Sequence, residues 1–286
     1  MIKRRIYNWP CRNRTLCLGN HTLIMGILNA TPDSFSDGGD FFDCAAAVDR
    51  ALEMADEGAH IIDIGGESTR PGAEPVSAVE EIRRTVSVIE KLREHSDIPI
   101  SIDTTKSEVA SRAVEAGADI INDISAFEVD AGMVEVAADT GAGVVLMHMK
   151  GAPQTMQDNP VYTNVVDEVR AYLKQRMDFA AQHGVGRDRL VVDPGIGFGK
   201  TTEHNLSLLR SLPLLAESCA PILVGASRKS FLGHLTGREK PADRLAGSLG
   251  AAAWAVMQGA HILRVHDVIQ TCDICRIVDT LSSGDT

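Results

Sequence analysis

The chain has 286 residues, of which 44% are hydrophobic and 23% charged, an ordinary balance for a water-soluble globular protein. Its formal net charge of −11 at pH 7 argues against a general nucleic-acid-binding protein. The apolar runs fall short of the roughly 20 residues that a membrane-spanning helix needs.

The amino terminus and the cysteines indicate where the protein acts. The first residues are basic but lack the apolar segment and cleavage site of a secretion signal. Six cysteines are scattered along the chain, a pattern typical of reduced thiols. We therefore expect a cytoplasmic protein with no membrane and no nucleic-acid partner.

Residues 1–22 are predicted to be an N-terminal extension with a short hairpin. Residues 1–15 are basic and are expected to be irregular. Residues 16–24 place two apolar runs around Gly19 and Asn20, which favours a hairpin with a two-residue turn. We expect this hairpin to close the bottom of the domain that follows.

Residues 23–286 alternate between buried-strand patterns and helical patterns. The predicted strands cover residues 25–28, 61–66, 98–103, 119–124, 143–149, 190–192, 221–227 and 261–267. The predicted helices cover residues 45–57, 77–94, 106–116, 129–140, 162–177 (the longest), 204–215 and 244–258, with a last helix ending near residue 281. Eight such units without a linker predict an α/β fold of one domain, a (β/α)8 TIM barrel.

A barrel of this kind gathers its functional side chains at the carboxyl ends of its strands. Solvated ends would carry mostly Lys and Glu, whereas here Asn and Asp recur. The residues at these ends are Asn29, Thr69, Arg70, Asp103, Asn122, Met147, Asp193, Ser227, Lys229, Arg264 and His266. The pattern predicts a ligand site, although each acid taken singly could instead cap a helix or belong to the core.

The most informative segment is LVVDPGIGFGK, residues 190–200. A buried strand ends at Asp193, and a glycine-rich turn with few side chains follows, as in α/β proteins that bind a small polar ligand. The alternative is that Asp193 only caps the next helix. The run GFGKTT also resembles a phosphate-binding P-loop, but that pattern requires glycine where Pro194 stands.

Eight segments in order carry a resemblance to a known family. They are ILNATPDSFSDGG, DIGGESTRPGA, SIDTTK, NDIS, LMHMKG, DPGIGFGKT, GASRKSF and RVHD. Together they resemble the dihydropteroate synthase family of pterin-binding barrels, over about residues 23–267. The resemblance implies a monofunctional homodimeric transferase of folate biosynthesis, dependent on Mg²⁺ and targeted by sulfonamides. Such enzymes join p-aminobenzoate to 6-hydroxymethyl-7,8-dihydropterin pyrophosphate and release pyrophosphate.

The chemistry of the residues and the resemblance together imply three subsites. Carboxylates suit the donor edge of a pterin, and an amide or an ammonium suits its acceptors. The pterin is expected to contact Asp103, Asn122, Asp193 and Lys229, between apolar walls of Ile27, Ile124, Met147 and Phe198. For p-aminobenzoate the resemblance implies Phe35, Thr69, Arg70, Pro71, Ser227 and Lys229.

The pyrophosphate needs cations and hydrogen-bond donors. Arg264 and His266 lie two apart on one strand and therefore face the same side. The expected pyrophosphate ligands are Asn29, Arg70, Arg264 and His266, with Asn29 also bound to Mg²⁺. The residues expected to act in catalysis are Lys229, Arg264, His266 and Arg70. For Arg264 the alternative is a salt bridge alone.

The expected mechanism is a dissociative displacement. No residue looks like a nucleophile or an obligatory base, and an aniline nitrogen is already neutral at pH 7. Two other functions share some of these features, namely a methyltetrahydrofolate-dependent methyltransferase and a pterin-binding module without chemistry. The SRK segment, the TRPGA loop and the Arg264–His266 pair count against the first. The presence of Lys229, Arg264 and His266 counts against the second.

Overall fold

The computed structural model describes residues 2–31, 44–68, 73–216 and 220–283. Its main sheet has eight parallel strands: β3 (Leu23–Asn29), β4 (Ile61–Gly65), β5 (Ile100–Asp103), β6 (Ile120–Asp123), β7 (Gly143–Met147), β8 (Leu190–Asp193), β9 (Leu223–Val224) and β10 (Ile262–Val265). Their order in the sheet is β8-β7-β6-β5-β4-β3-β10-β9. A parallel bridge between Val192 and Ile222 joins the two edges, so the sheet closes. The predicted (β/α)8 barrel is confirmed.

Helices follow the strands and cover the outside of the barrel. They are α1 (Cys44–Asp56), α2 (Ala78–His95), α3 (Ser107–Ala116), α4 (Gly132–Thr140), α5 (Val165–Gln182), α6 (Thr202–Arg210), α7 (Leu212–Ala216), α8 (Ser230–Thr236), α9 (Leu245–Met257) and α10 (Val268–Ser283). Short 3₁₀ turns precede β8 and α9. Among the described residues, none of these helices has both the length and the apolar character to cross a membrane.

Several element boundaries differ from those predicted. The helix expected over residues 204–215 is divided at Ser211, and Pro213 lies in the first turn of α7, where a missing N–H costs nothing. Helix α8 was not predicted, and α5 shares its length of 18 residues with α2. Strand β9 is much shorter than the predicted residues 221–227, although the Ile222 carbonyl just before it accepts the backbone N–H groups of His261 and Ile262.

The N-terminal hairpin exists, but other residues form it. Strand β1 (Tyr7–Cys11) pairs antiparallel with β2 (Arg14–Leu18), and the turn places Arg12 at φ 57°. The predicted hairpin over residues 16–24 is therefore wrong, as is the expectation of irregular structure throughout residues 1–15. The physical reason is that Leu23 begins β3, whose two edges are occupied by β4 and β10.

The hairpin closes the bottom of the barrel. Trp9, Cys11 and Leu18 are fully buried, and the Trp9 indole N–H donates to the Arg189 carbonyl at 2.8 Å. A Cβ on Gly143 would lie 2.5 Å from the Cys11 sulfur, so only glycine at this position lets the hairpin approach strand β7 this closely. The three side chains pack on a layer of inward-facing residues: Leu23, Met25, Ile61, Ile120, Val145, Val191, Leu223 and Ile262.

The basic residues of the N-terminal segment hold the hairpin against the barrel. Arg4 forms an ion pair with Asp279 of α10 at 2.6 Å. Arg12 donates to two carbonyls at the end of α3, and Arg14 forms an ion pair with Asp119 at 3.0 Å. These cations thus bind the barrel itself.

The next layer of inward-facing side chains, on the side away from the hairpin, is mostly polar. Alternate residues of a strand point to the same side, so residues two positions beyond the apolar layer also face the barrel interior. On most strands those positions hold polar or small residues: Asp63, Asp103, Asn122, Asp193, Gly225 and Arg264, with Ile27 and Met147 between them. The fold therefore places charge on top of an apolar floor.

Candidate active site

A cavity of about 310 Å³ opens at the carboxyl ends of the strands. Most of the strands and the loops that follow them contribute to its walls. The predicted site residues that line it are Ile27, Asn29, Asp103, Ser227, Lys229, Arg264 and His266. Residues that sequence reasoning placed at four separate strand ends thus share one cavity.

Arg264 is the centre of a buried ion network in this cavity. Its Nε donates to an Asp63 carboxylate oxygen at 2.5 Å, and its Nη2 donates to Asp103 at 2.5 Å. The Asn122 amide also donates to Asp63, at 3.2 Å. The Asp63 side chain has no exposed surface, whereas that of Arg264 keeps 19% of its own. The salt-bridge role considered for Arg264 is therefore real, and it coexists with a place in the cavity wall.

Asp63 was missed by sequence reasoning. It lies inside β4, not at its end, so a search of strand ends passes over it. The available signal was alternation: Ile61 faces the interior, and Asp63 is two residues further along.

The network sets the charge of its members. Burial alone would lower the pKa of Arg264, but the carboxylates of Asp63 and Asp103 raise it above its ordinary value, so the guanidinium stays charged. Burial raises the pKa of Asp103 to about 7; Arg264 acts in the opposite direction, and Asp63 adds to the increase. Burial therefore disfavours the carboxylate form of Asp103, and the ion pair with Arg264 favours it.

Asp193 ends β8 and is 6% exposed. One carboxylate oxygen accepts the Gly195 N–H at 2.7 Å, and burial raises the pKa of Asp193 to about 6. Gly195 has φ 66°, and a Cβ there would lie 1.9 Å from the His148 carbonyl oxygen, so this turn requires glycine. Helix α6 is capped by Thr201, which accepts the His204 N–H, and the alternative of Asp193 as its cap is wrong.

An apolar cluster forms one side of the site. It contains Ile124, Met147 and Phe198 together with Met156, and each is less than 8% exposed. The Lys229 ammonium lies 4.0 Å from the centre of the Phe198 ring, a cation–π contact. Ile27 lines the cavity but is not a member of this cluster. Met156 was missed because its loop, residues 150–160, has no periodic pattern.

Ser227 and His266 are hydrogen-bonded to each other. The Ser227 hydroxyl oxygen lies 3.0 Å from His266 Nδ1 and accepts the His266 backbone N–H at 3.2 Å. Burial lowers the pKa of His266 to about 3, and Arg228 and Arg264 add to the effect, so the ring is neutral. Because the hydroxyl proton is available for Nδ1, this geometry favours the tautomer with hydrogen on Nε2.

Some of the predicted residues lie outside the described residues, and their roles remain predictions: Phe35, Thr69, Arg70 and Pro71. Glu67 and Ser68, just before the second of these segments, line the cavity. Glu67 accepts a hydrogen bond from Lys106, which also contacts the buried Glu81 at 2.6 Å. Across the described ranges, no group of three or more His, Cys, Asp or Glu side chains could hold a metal ion.

The fold and the site define a (β/α)8-barrel enzyme with buried acids beside a fixed cation. A family model described as "Pterin binding enzyme" matches residues 25–266. The dihydropteroate synthase of Synechocystis sp. is 49% identical over 263 residues, which cover 92% of this chain and 91% of that protein. The chain belongs to the pterin binding enzyme family and, within it, to the dihydropteroate synthases.

Solved structures show the same likeness. The Xanthomonas albilineans dihydropteroate synthase with 4-aminobenzoic acid superposes with a TM-score of 0.91 at 45% identity, covering 98% of this chain and 99% of that one. The Yersinia pestis dihydropteroate synthase in complex with a sulfonamide drug also has a TM-score of 0.91, at 42% identity, covering 97% of this chain and 100% of that one.

Proposed function

We propose that the chain condenses 6-hydroxymethyl-7,8-dihydropterin pyrophosphate with p-aminobenzoate to give 7,8-dihydropteroate and pyrophosphate. The observation that carries this proposal is the buried Asp63–Arg264–Asp103 network, which opens on a cavity shared with Lys229 and His266. The site thereby combines acceptors for a heterocycle with a fixed cation for an anionic leaving group. The 4-aminobenzoic acid in the Xanthomonas structure supports the choice of second substrate.

The pterin is assigned to the acids and the apolar cluster. Asp103, Asp193 and Asn122 offer oxygens to the ring N–H and amino groups, and Lys229 offers donors to the ring acceptors. Lys229 has room to lie there because residue 197 is glycine. A Cβ on Gly197 would lie 3.0 Å from Lys229 Cδ. The predicted walls Ile27, Ile124, Met147 and Phe198 would cover the ring faces, and Met156 joins them.

The pyrophosphate is assigned to Arg264, His266 and Asn29, with Arg70 by resemblance. Arg264 supplies a permanent charge, and His266 supplies a neutral donor through Nε2. An Mg²⁺ ion fits this donor set because it is usually held by one or two protein oxygens, substrate phosphates and water. Asn29 is the residue that would hold it, and the ion would neutralise part of the leaving group's charge.

The p-aminobenzoate is assigned to Ser227 and Lys229, together with Phe35, Thr69, Arg70 and Pro71 by resemblance. The bond between the pterin methylene carbon and the pyrophosphate oxygen lengthens first. The aniline nitrogen then attacks that carbon and loses one proton. Positioning and stabilisation of the departing charge supply the catalysis. A preformed Arg264 suits this role, because Asp63 and Asp103 hold its guanidinium in place before substrate arrives.

The proposed activity can be tested directly. The purified protein is mixed with dihydropterin pyrophosphate, p-aminobenzoate and Mg²⁺, and both pyrophosphate and dihydropteroate are measured. We expect both products in equal amounts and inhibition by a sulfonamide that added p-aminobenzoate relieves. Pterin binding without either product would indicate the binding module, and methyl transfer from a reduced folate would indicate the methyltransferase.

The Asp193→Asn variant is expected to bind pterin more weakly. The change removes a charge-assisted acceptor, which is worth about 1.5–3 kcal/mol in a buried site. Burial places the pKa of Asp193 at about 6, so the ionised acceptor is lost as the pH falls through 6, and wild-type affinity should fall with it. The asparagine variant should lack this pH dependence. Calorimetry from pH 5 to pH 8 measures both effects, and equal curves for the two proteins would remove Asp193 from the pterin site.

Three broader expectations stay predictions. We propose that residues 23–286 act as one pterin-binding barrel behind the extension of residues 1–22, and that the protein is a cytoplasmic homodimer. Exposed apolar side chains on the last two helices support a dimer surface: Trp254, Ile269, Ile277 and Leu281.

A further inference from the structure

Lys200 is a buried cation that the proposed reaction does not use. In the sequence it belongs to the GFGK run that imitates a P-loop, and in the structure it is 3% exposed. Its ammonium donates to the Phe198 carbonyl at 2.9 Å and to the His148 carbonyl at 3.3 Å, and it lies 3.0 Å from His148 Nδ1. Burial lowers the pKa of His148 to about 3, with Lys200 adding to the effect, so the ring is neutral and Nδ1 can accept. All three N–H groups of the ammonium thus have acceptors.

These acceptors belong to two different loops. His148 follows β7, and Phe198 lies in the glycine turn after β8. The two loops touch through their backbones: a Cβ on Gly199 would lie 2.2 Å from the Lys150 carbonyl oxygen. Lys200 therefore bonds the loop next to Met147 to the loop that carries Phe198, and these two side chains belong to the apolar cluster of the site.

We propose that Lys200 is a positioning residue for pterin binding. Its buried ammonium bonds the loops that carry the Met147 and Phe198 walls, and it places a positive charge near Asp193, whose backbone carbonyl accepts the His148 N–H at 3.0 Å. The inference rests on the proposed pterin subsite. Lys200 contacts no cavity surface and acts through Asp193 and the two loops.

The charges around Lys200 support this role. Burial lowers its pKa to about 7, Asp193 acts in the opposite direction, and Lys229 adds to the decrease. The pKa of Asp193 is raised by burial. The Gly195 N–H, Lys229, Lys200 and Arg264 act in the opposite direction and stabilise its ionised form. Burial lowers the pKa of His204 in α6, and the charge of Lys200 lowers it further. Near pH 6, where Lys200 is charged, its loss should therefore raise the pKa of Asp193.

The test is the pH dependence of pterin affinity in the full-length Lys200→Met variant. An opposite charge nearby changes a carboxylate pKa by about one unit or more. The affinity midpoint should therefore move up by about one pH unit. Binding of 6-hydroxymethylpterin should become about fivefold weaker than wild type at pH 6, beyond any loss seen at pH 8.5. Curves that differ by the same factor at every pH would overturn the inference, because a merely structural role of Lys200 would give that result.

Two further variants make the result decisive. Lys150→Met removes an exposed cation from the same loop, and its midpoint should stay at the wild-type pH. Lys200→Gln keeps a hydrogen-bonding group and serves if the methionine variant does not fold; it should show the same upward shift. If wild-type protein binds no pterin, the proposed function fails; if wild type binds and the variants show no shift, this inference fails alone.

Discussion

Replacing Arg264 with alanine is expected to reduce kcat about 10²–10³-fold. The guanidinium is held by Asp63 and Asp103 in the cavity wall, so it is a preorganised donor for the departing pyrophosphate. Loss of such a donor to developing charge costs about 2.7–4 kcal/mol in the transition state. Binding of a pterin that lacks pyrophosphate should change much less, because that ligand does not present the charge that Arg264 recognises.

The same change should also destabilise the fold, and the two effects must be separated. Without Arg264, two buried carboxylates lose their cation, which costs about 3–5 kcal/mol. Urea unfolding measures this loss, and kcat is then determined where the variant is folded. Arg112→Ala, which removes an exposed ion pair, is the matched control and should alter neither quantity. An unchanged kcat in folded Arg264→Ala protein would take Arg264 out of the leaving-group site.

The second large effect is expected from Asp63→Asn. Asparagine has nearly the same shape, but it removes the fully buried charge that holds Arg264 Nε and the Asn122 amide. Breaking one partner of a buried pair costs about 3–5 kcal/mol, and Asp103 retains Arg264, so we expect the lower end of this range. Turnover should fall as well, because Arg264 and Asn122 lose a common anchor.

The prediction for Asp63 has a specific electrostatic signature. Asp63 contributes to the raised pKa of Asp103, so the pKa of Asp103 should fall in the variant. Chemical denaturation gives the stability, and carboxyl titration by NMR gives the pKa. Asp273→Asn, at an exposed pair with Arg276, should leave both as in wild type. A variant with wild-type stability and an unchanged Asp103 pKa would show that Asp63 does not hold the network together.

The barrel and most of its site could be predicted because the information is local. Each strand is a short apolar run, and Asp193 at the end of its strand stands directly before a chain-reversing proline and glycine. Parallel topology then brings all those ends together without any knowledge of contacts. The spacing of two between Arg264 and His266 predicts that they face the same side, and both line the cavity.

The errors came from contacts that join distant parts of the chain. The strand Tyr7 to Cys11 carries Trp9, which packs under the barrel against residues as distant as Val191 and Ile262. Asp63 gains its role from Arg264, 201 residues further along. Met156 enters the apolar cluster from a loop with no pattern of its own. In each case the local sequence permits the structure, and a tertiary contact selects it.

The closure of the barrel between its first and last strands has a kinetic consequence. β3 pairs with β10, and Arg4 reaches Asp279, 275 residues away. Contacts of such sequence separation form late in folding, because the loop-closure entropy must first be overcome. During synthesis, β10 emerges last among the strands, and Arg264 emerges with it. A nascent or partly folded chain therefore holds the acids for a pterin without the cation for its pyrophosphate, and catalytic competence arrives only when the ring of strands is complete.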